Sequence, residues 1–177
     1  MIILDIGCGN NKFKGNPGDI VIGMDRIRFK NVDIIYDMER FPYPFKDKVF
    51  DKVVMSHSLE HVTRHDRKNI KIIEEIYRIL KDDGILEVKV PIGIGFYQSP
   101  EHKNYVGVWY WTYFSKDSPY STAKFELIEC EIIKLLRVGI IRPLLNMLYK
   151  KNPLAIERLI NFSGLDAEVK YVLRKCK

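Results

Sequence analysis

Five short apolar runs, most of them closed at once by an acid or a glycine, constrain this chain more than any other feature. Residues 1–6 (MIILDI) carry a single acid and stop in a Gly-containing turn. Residues 20–24 (IVIGM) end at Asp25, and VDIIY (32–36) ends at Asp37. FDKVVMS (50–56) follows the Pro- and aromatic-rich loop FPYPFKDK (41–48), and ILEVKVP fills 85–91. Apolar runs of this length, bounded by turn residues, read as buried strands. Between the fourth and fifth, Ile70, Ile73, Ile76, Tyr77 and Leu80 recur at helical spacing, so a helix is predicted over 64–81 with Asp82, Asp83 and Gly84 as its stop signal. Continuous runs instead of strict alternation predict a parallel sheet covered on both faces, and the fold class is α/β.

The second half is less regular. Over 92–121 the pattern dissolves into Gly, Pro, Ser and aromatics, including VGVWYWTYF (106–114), which is either a structural lid over the sheet or a substrate pocket. KFELIECEIIKLL (124–136) reads as a long strand, 142–162 as one or two amphipathic helices, and EVKYVLRKC (168–176) as a closing strand. At 177 residues, with 46% hydrophobic and 29% charged side chains, one domain with a full core is expected and wholesale disorder is excluded. Cys8, Cys130 and Cys176 are too widely spaced for a metal knuckle or a redox dithiol, which fits a reducing cytoplasm. No secretion signal and no membrane span is expected. Charge is uneven: residues 1–60 hold nine bases and nine acids, whereas 134–177 sum to +7. This basic end, with Lys150, Lys151, Arg174, Lys175 and Lys177, reads as a solvated surface, with attraction of an anionic acceptor as the alternative.

In an open parallel sheet, ligands sit beyond the carboxyl ends of the strands where strand order reverses. The turn Asp5-Ile6-Gly7-Cys8-Gly9 and the acids Asp25 and Asp37 are expected there, and the two glycines let backbone pass close to a ligand. Asp25 follows Gly7 by 18 residues, the spacing at which an acid ending the second strand accepts ribose hydroxyls. A diphosphate cofactor does not fit, because the third glycine of GxGxxG would fall on Lys12 and no strong helix signal follows to receive a phosphate. Asp5 beside the turn suits a cationic ligand, and S-adenosylmethionine carries an ammonium and a sulfonium with no phosphate.

LDIGCG (4–9), GMD (23–25), YDMERFPYPFKDKVFDKVVMSHSLEHV (36–62) and EEIYRILKDDGILEVKVP (74–91) resemble, in this order, the class I S-adenosylmethionine-dependent methyltransferases, in particular small members with an LDxGCG motif. The resemblance implies a Rossmann-like fold: a mostly parallel twisted sheet, helices on both faces and an antiparallel closing strand. It implies a cofactor-binding half over 1–91 and a substrate side with closing strands over 92–177. It places Asp5, Gly7, Cys8 and Gly9 against the methionine part, Asp25 on the ribose, Asp37 and Met38 beside the adenine, and residues 56–59, with Ser56 and His57, at the methyl-transfer centre. Asn11 stands where a third glycine often occurs, and residues 10–19 are too broken for the long first helix of that family. No covering segment is expected before the first strand, so substrate contacts are expected from elsewhere in the chain or from another subunit. SPEHKNY (99–105) is similar to a Pro-x-His segment of these enzymes and makes His102 a pocket candidate.

Methyl transfer from a sulfonium is an in-line displacement governed by alignment, and a base is needed only if the acceptor holds its proton. His57, Glu60, His61 and His102 are the candidate catalytic groups. His57-Ser58-Leu59-Glu60-His61 also matches the zinc-protease pentad HxxEH, but that chemistry needs a continuous helix and the preceding FDKVVMS is strand-like, so no metal is expected. The expected function is methylation of a small or modest-sized acceptor. The alternatives are a regulatory module that binds the cofactor without turnover, and an RNA methyltransferase motivated by the basic end. The oligomeric state is left open, and an exposed first strand with the aromatic run 106–114 would suit a homodimer.

Overall fold

Seven strands form a single sheet in the order β3-β2-β1-β4-β5-β7-β6 in a computed structural model that describes residues 1–135 and 139–177. The strands are β1 (Ile2–Ile6), β2 (Ile20–Asp25), β3 (Ile34–Ile35), β4 (Phe50–Ser56), β5 (Leu80–Gly93), β6 (Phe125–Leu135) and β7 (Asp166–Lys175). Pairing from β3 to β5 is parallel, and β7 is inserted antiparallel between β5 and β6. The runs at 1–6, 20–24 and 50–56 are therefore strands as expected, whereas the run at 32–36 shrinks to two paired residues. Leu136, the last residue of the expected sixth strand, lies outside the described residues.

The helix expected over 64–81 is α1 (Lys68–Ile79). It starts late because Asp66 and Arg67 both take positive φ, 52° and 58°, which no α-helix accommodates. It ends early because Leu80 is already extended and pairs with Phe50 in the sheet. Two short helices, α2 (Ile94–Tyr97) and α3 (Val108–Thr112), lie in the stretch without pattern, followed by α4 (Arg142–Lys151) and α5 (Pro153–Ser163). The α5 boundaries are written in the sequence: the Asn152 side chain accepts from the Ala155 amide at 3.1 Å, Pro153 occupies the first turn, and Gly164 ends the helix at φ 67°.

Coverage of the two faces departs from the expectation of helices on both. Along β7 buried and part-buried residues alternate, and along β5 Leu86, Val88 and Val90 are buried while Ile85, Glu87 and Lys89 are not. The helices meet the buried set: Trp111 of α3 packs on Tyr171 (ring centroids 5.7 Å), Tyr149 of α4 and Glu157 of α5 reach the Tyr171 hydroxyl, and Tyr77 of α1 packs on Phe125. On the opposite face, loop residues 10–14 shield β1 and β4, with Lys52 Nζ over the Phe13 ring at 4.8 Å. Beyond that loop the opposite face carries ion pairs, Lys52–Glu87 at 2.7 Å and Lys170 to both Glu129 and Glu131 at 3.0 Å. The long apolar runs overstated coverage because only β1 and the middle of β4 are buried on both sides.

Two further corrections concern self-association. β1 lies between β2 and β4, so it is not the exposed strand that would suit a dimer. The run 106–114 is largely a lid on the core: Val106, Trp111 and Phe114 are buried, and none of its residues lines the cleft described below.

Candidate functional site

Strand order reverses between β1 and its neighbours β2 and β4, and a cleft of about 480 Å³ opens beyond their carboxyl ends. Its floor is the turn after β1. Gly7 holds φ 74°, and a Cβ there would stand 2.5 Å from the Ser58 Cβ, so only glycine lets the turn pass over the segment after β4. Ser58 is buried and donates to the Ile6 carbonyl at 3.0 Å, tying the two turns together. Gly9 also has positive φ, and a Cβ there would meet nothing within 4 Å.

Asp25 forms the wall at the end of β2. Its Oδ2 accepts from the Gly9 amide at 3.0 Å and its Oδ1 from the Ile27 amide at 2.9 Å, which fixes the carboxylate plane. Each oxygen keeps a second lone pair for a ligand hydroxyl. Asp37, after β3, accepts from the Glu39 amide through Oδ1, leaving Oδ2 uncommitted. Met24, Ile27, Phe29, Tyr36 and Met38 supply the apolar lining. The charged lining carries a small acidic excess, with Asp25, Asp37, Glu39 and Glu101 against Arg26, Lys103 and His57.

Of the residues singled out in the sequence, Gly7, Asp25, Asp37, Met38, His57 and His61 line this cleft. Asp5 and Ser56 are on the other side of the β1 turn, in a second depression shared with Lys89. The Asp5 carboxylate is buried, which pushes its pKa up, and it accepts from the Phe13 amide at 2.7 Å, so it pins the loop. Cys8 is buried near Gly23 and its thiol is pushed up to about 11 by burial, leaving it un-ionised and inert. Ser58 belongs to the expected segment 56–59 but is buried beneath the turn, while the lining residues missed by sequence reasoning are both apolar, Ile27 and Phe29, and polar, Arg26, Thr63, Glu101 and Lys103. The signal available for Ile27 and Phe29 was their position directly after the β2 acid.

His57 differs from expectation. Its φ is 52°, its Nε2 is 3.1 Å from Glu168 and its Nδ1 is 3.3 Å from Glu60. Glu168 and then Glu60 raise its pKa to about 9, so at neutral pH both nitrogens are protonated and neither has a lone pair for a proton. The general-base role considered for His57 is therefore corrected: the ring is a cationic bridge between β4 and β7. Glu60 is 1% exposed. His102 lies beside His61, with ring centroids 5.0 Å apart. The pentad HxxEH does not form a helix; a short 3₁₀ turn covers only Leu59–His61.

This sheet order, with β7 antiparallel between β5 and β6, is the Rossmann-like fold of the class I methyltransferases. Solved structures agree at the level of fold: a SAM-dependent methyltransferase from Archaeoglobus fulgidus superposes with TM-score 0.61 at 19% identity, covering 98% of this chain and 86% of that one. The N-methyltransferase NodS from Bradyrhizobium japonicum, solved with S-adenosyl-L-homocysteine, gives TM-score 0.61 at 14% identity, covering 99% and 78%. Residues 4–88 match a family of methyltransferase domains, so the resemblance read from the sequence holds for the segment that supplies most of the cleft lining, all but Glu101 and Lys103. A tRNA (carboxymethyluridine(34)-5-O)-methyltransferase of Arabidopsis thaliana is 31% identical over 97 residues, 50% of this chain, and the chain spans 24% of that relative's length.

The cleft fits the group this fold implies. The open cradle above Gly9, the fixed Asp25 carboxylate with spare lone pairs and the small acidic excess of the lining suit a ribose-bearing cation. Residues 10–14, after the glycine turn, form no helix, so no helix N-terminus is presented there to a phosphate.

Proposed function

We propose that this protein is an S-adenosylmethionine-dependent methyltransferase acting on a small-molecule or modest-sized acceptor. The observation that carries the reading is Asp25, locked by the Gly9 and Ile27 amides at the end of β2 with its remaining lone pairs facing the cleft. S-adenosylmethionine supplies an activated methyl group on a sulfonium. Asp25 holds the ribose hydroxyls, Asp37 and Met38 border the adenine, and the Gly7–Gly9 turn lies along the methionine part. The cationic His57, turned to Glu168 at 3.1 Å with Glu60 at 3.3 Å on its other side, holds the segment after β4 in place. Alignment of the acceptor in a narrow site then accounts for most of the rate.

The basic end gives little support to an RNA acceptor. Lys170 is paired with Glu129 and Glu131, Lys177 with Asp83 at the surface, and the Lys175 ammonium is buried against the Tyr77 and Leu80 carbonyls, so these three bases are already engaged. Cytoplasmic placement belongs to the same reading, supported by three unbridged cysteines. Among the described residues no helix is long and apolar enough to cross a membrane.

Calorimetric titration with S-adenosylhomocysteine tests the reading. Binding in the micromolar range is expected, and an absence of heat and of competition by S-adenosylmethionine would sink it.

A further inference from the structure

Glu60 has a buried carboxylate with neither oxygen hydrogen-bonded. A buried charge in this state is costly unless a cation completes it. His57 approaches from one side at 3.3 Å without hydrogen-bond alignment, and its other nitrogen is turned to Glu168. On another side stand His61 and His102, and one ligating atom from each of Glu60, His61 and His102 lies within 4.8 Å of those of the other two.

The two histidines are already oriented as metal ligands are. His61 Nδ1 faces the Glu101 carbonyl at 3.3 Å and His102 Nδ1 faces the Phe96 carbonyl at 2.7 Å. A carbonyl only accepts, so each Nδ1 carries a proton, and in the neutral ring Nε2 is the nitrogen with the lone pair. Metal-bound histidines commonly show this outer hydrogen bond, which sets the tautomer and ring plane. The segments bearing the two rings are held together independently of any ion: the Lys103 and Asn104 amides donate to the Glu60 carbonyl at 2.8 and 3.0 Å, and the fully buried Asn104 side chain donates to the Leu59 carbonyl at 3.2 Å. The Phe96 ring stacks on His102 from the far side.

We infer that Glu60, His61 and His102 form a binding site for one divalent first-row transition metal, zinc being the first probe. Two imidazoles and one carboxylate match the donor preference of such ions and not that of magnesium or calcium, which take mainly oxygen. Donor atoms sharing one ion at 2.0–2.2 Å stand about 3–3.5 Å apart, so shifts of about 1 Å in the half-exposed His61 and His102 close the set. His61 lines the main cleft while Glu60 is buried behind it, so the open coordination position faces the cleft and takes an oxygen-bearing ligand. The site departs from the sequence-based expectation of no metal: the pentad histidine His57 is excluded and His102 takes its place. Metal binding here does not depend on the methyl-transfer reading.

The test uses tag-free, chelator-stripped full-length protein without S-adenosylmethionine, titrated with Zn²⁺ by calorimetry and with Co²⁺ by visible absorption. One equivalent is expected, with a Co²⁺ spectrum of low-symmetry nitrogen and oxygen ligation. His61→Ala, His102→Ala and the isosteric Glu60→Gln should each weaken Zn²⁺ by at least about 100-fold, while His65→Ala, on the exposed His65 outside the cluster, leaves it unchanged. Circular dichroism identifies variants that fail to fold, and for these His61→Gln or His102→Gln carries the comparison. Less than one equivalent bound, or binding that survives loss of both His61 and His102, overturns the site.

Discussion

The two halves of the sheet are held together by different chemistry. In the β3-β2-β1-β4 half, carboxylates accept backbone amides across loops: Asp5 from Phe13, Asp25 from Gly9 and Ile27, Asp33 from Gly23, Asp37 from Glu39 and Asp51 from Ile2. In the β5-β7-β6 half, helices bury aromatic and branched side chains on one face, around a buried Glu157 that accepts from the Tyr149 and Tyr171 hydroxyls at 2.6 and 2.5 Å and from the Val108 amide at 2.9 Å. The first arrangement leaves strand ends open and lined with acids, which is what a binding cleft needs. The second supplies the stability on which that open half rests.

The sharpest break between the halves is expected at Glu157. Glu157→Leu removes the shared acceptor of the buried Tyr149 and Tyr171 hydroxyls and of the part-buried Val108 amide and should cost about 3 kcal/mol of folding stability in urea unfolding. The surviving folded protein should bind S-adenosylhomocysteine as before; a variant as stable as the parent would show that Glu157 is not the anchor of that half. Gly7→Ala comes next. The positive φ and the 2.5 Å approach to Ser58 predict a loss of about 3 kcal/mol, and here cofactor affinity should fall together with stability, because the floor of the cleft is displaced. Unchanged affinity in a folded Gly7→Ala protein would separate the turn from the site.

The smallest effect concerns acid. The Gly23 amide and then Lys12 hold Asp33 below the usual carboxylate range, the Lys81 ammonium and then the Ile2 amide do the same for Asp51, and the N-terminal ammonium does so for Asp19. Stability from such groups is fully present above the unfolded value of about 3.9 and is lost as pH falls through the lower folded value. Asp5, raised by burial, opposes the trend. Asp33→Asn should therefore flatten the decline of the urea midpoint between about pH 5 and pH 3, and equal slopes in the two proteins would remove the loop carboxylate from the account.

Most of the framework was legible in the sequence because its signals are local. The apolar runs gave β1, β2 and β4, and Asn152, Pro153 and Gly164 mark both ends of α5. Apart from the late start of α1, set by the local backbone of Asp66 and Arg67, the failures are long-range. Period cannot distinguish a strand covered by helices on both sides from one covered by a loop, so the part-buried Lys52–Glu87 and Lys170–Glu131 pairs went unread. The acids after the strands were recognised as ligand groups, but Asp5 is also a loop anchor, since its partner Phe13 is eight residues away in a segment without periodicity. Juxtaposition of His61 with His102 depends on the Glu60 carbonyl accepting two amides from across a 43-residue separation, for which no sequence pattern exists.

The central claim is that Asp25, held by the Gly9 and Ile27 amides, grips the ribose of S-adenosylmethionine in the cleft beyond β1 and β2. Titration of S-adenosylhomocysteine into the parent protein and into Asp25→Ala measures it directly. Micromolar binding weakened at least about tenfold by the substitution, about 1.4 kcal/mol, is the predicted result. Equal affinity in the two proteins, with Asp25→Ala folded, would place the ligand elsewhere and contradict the account.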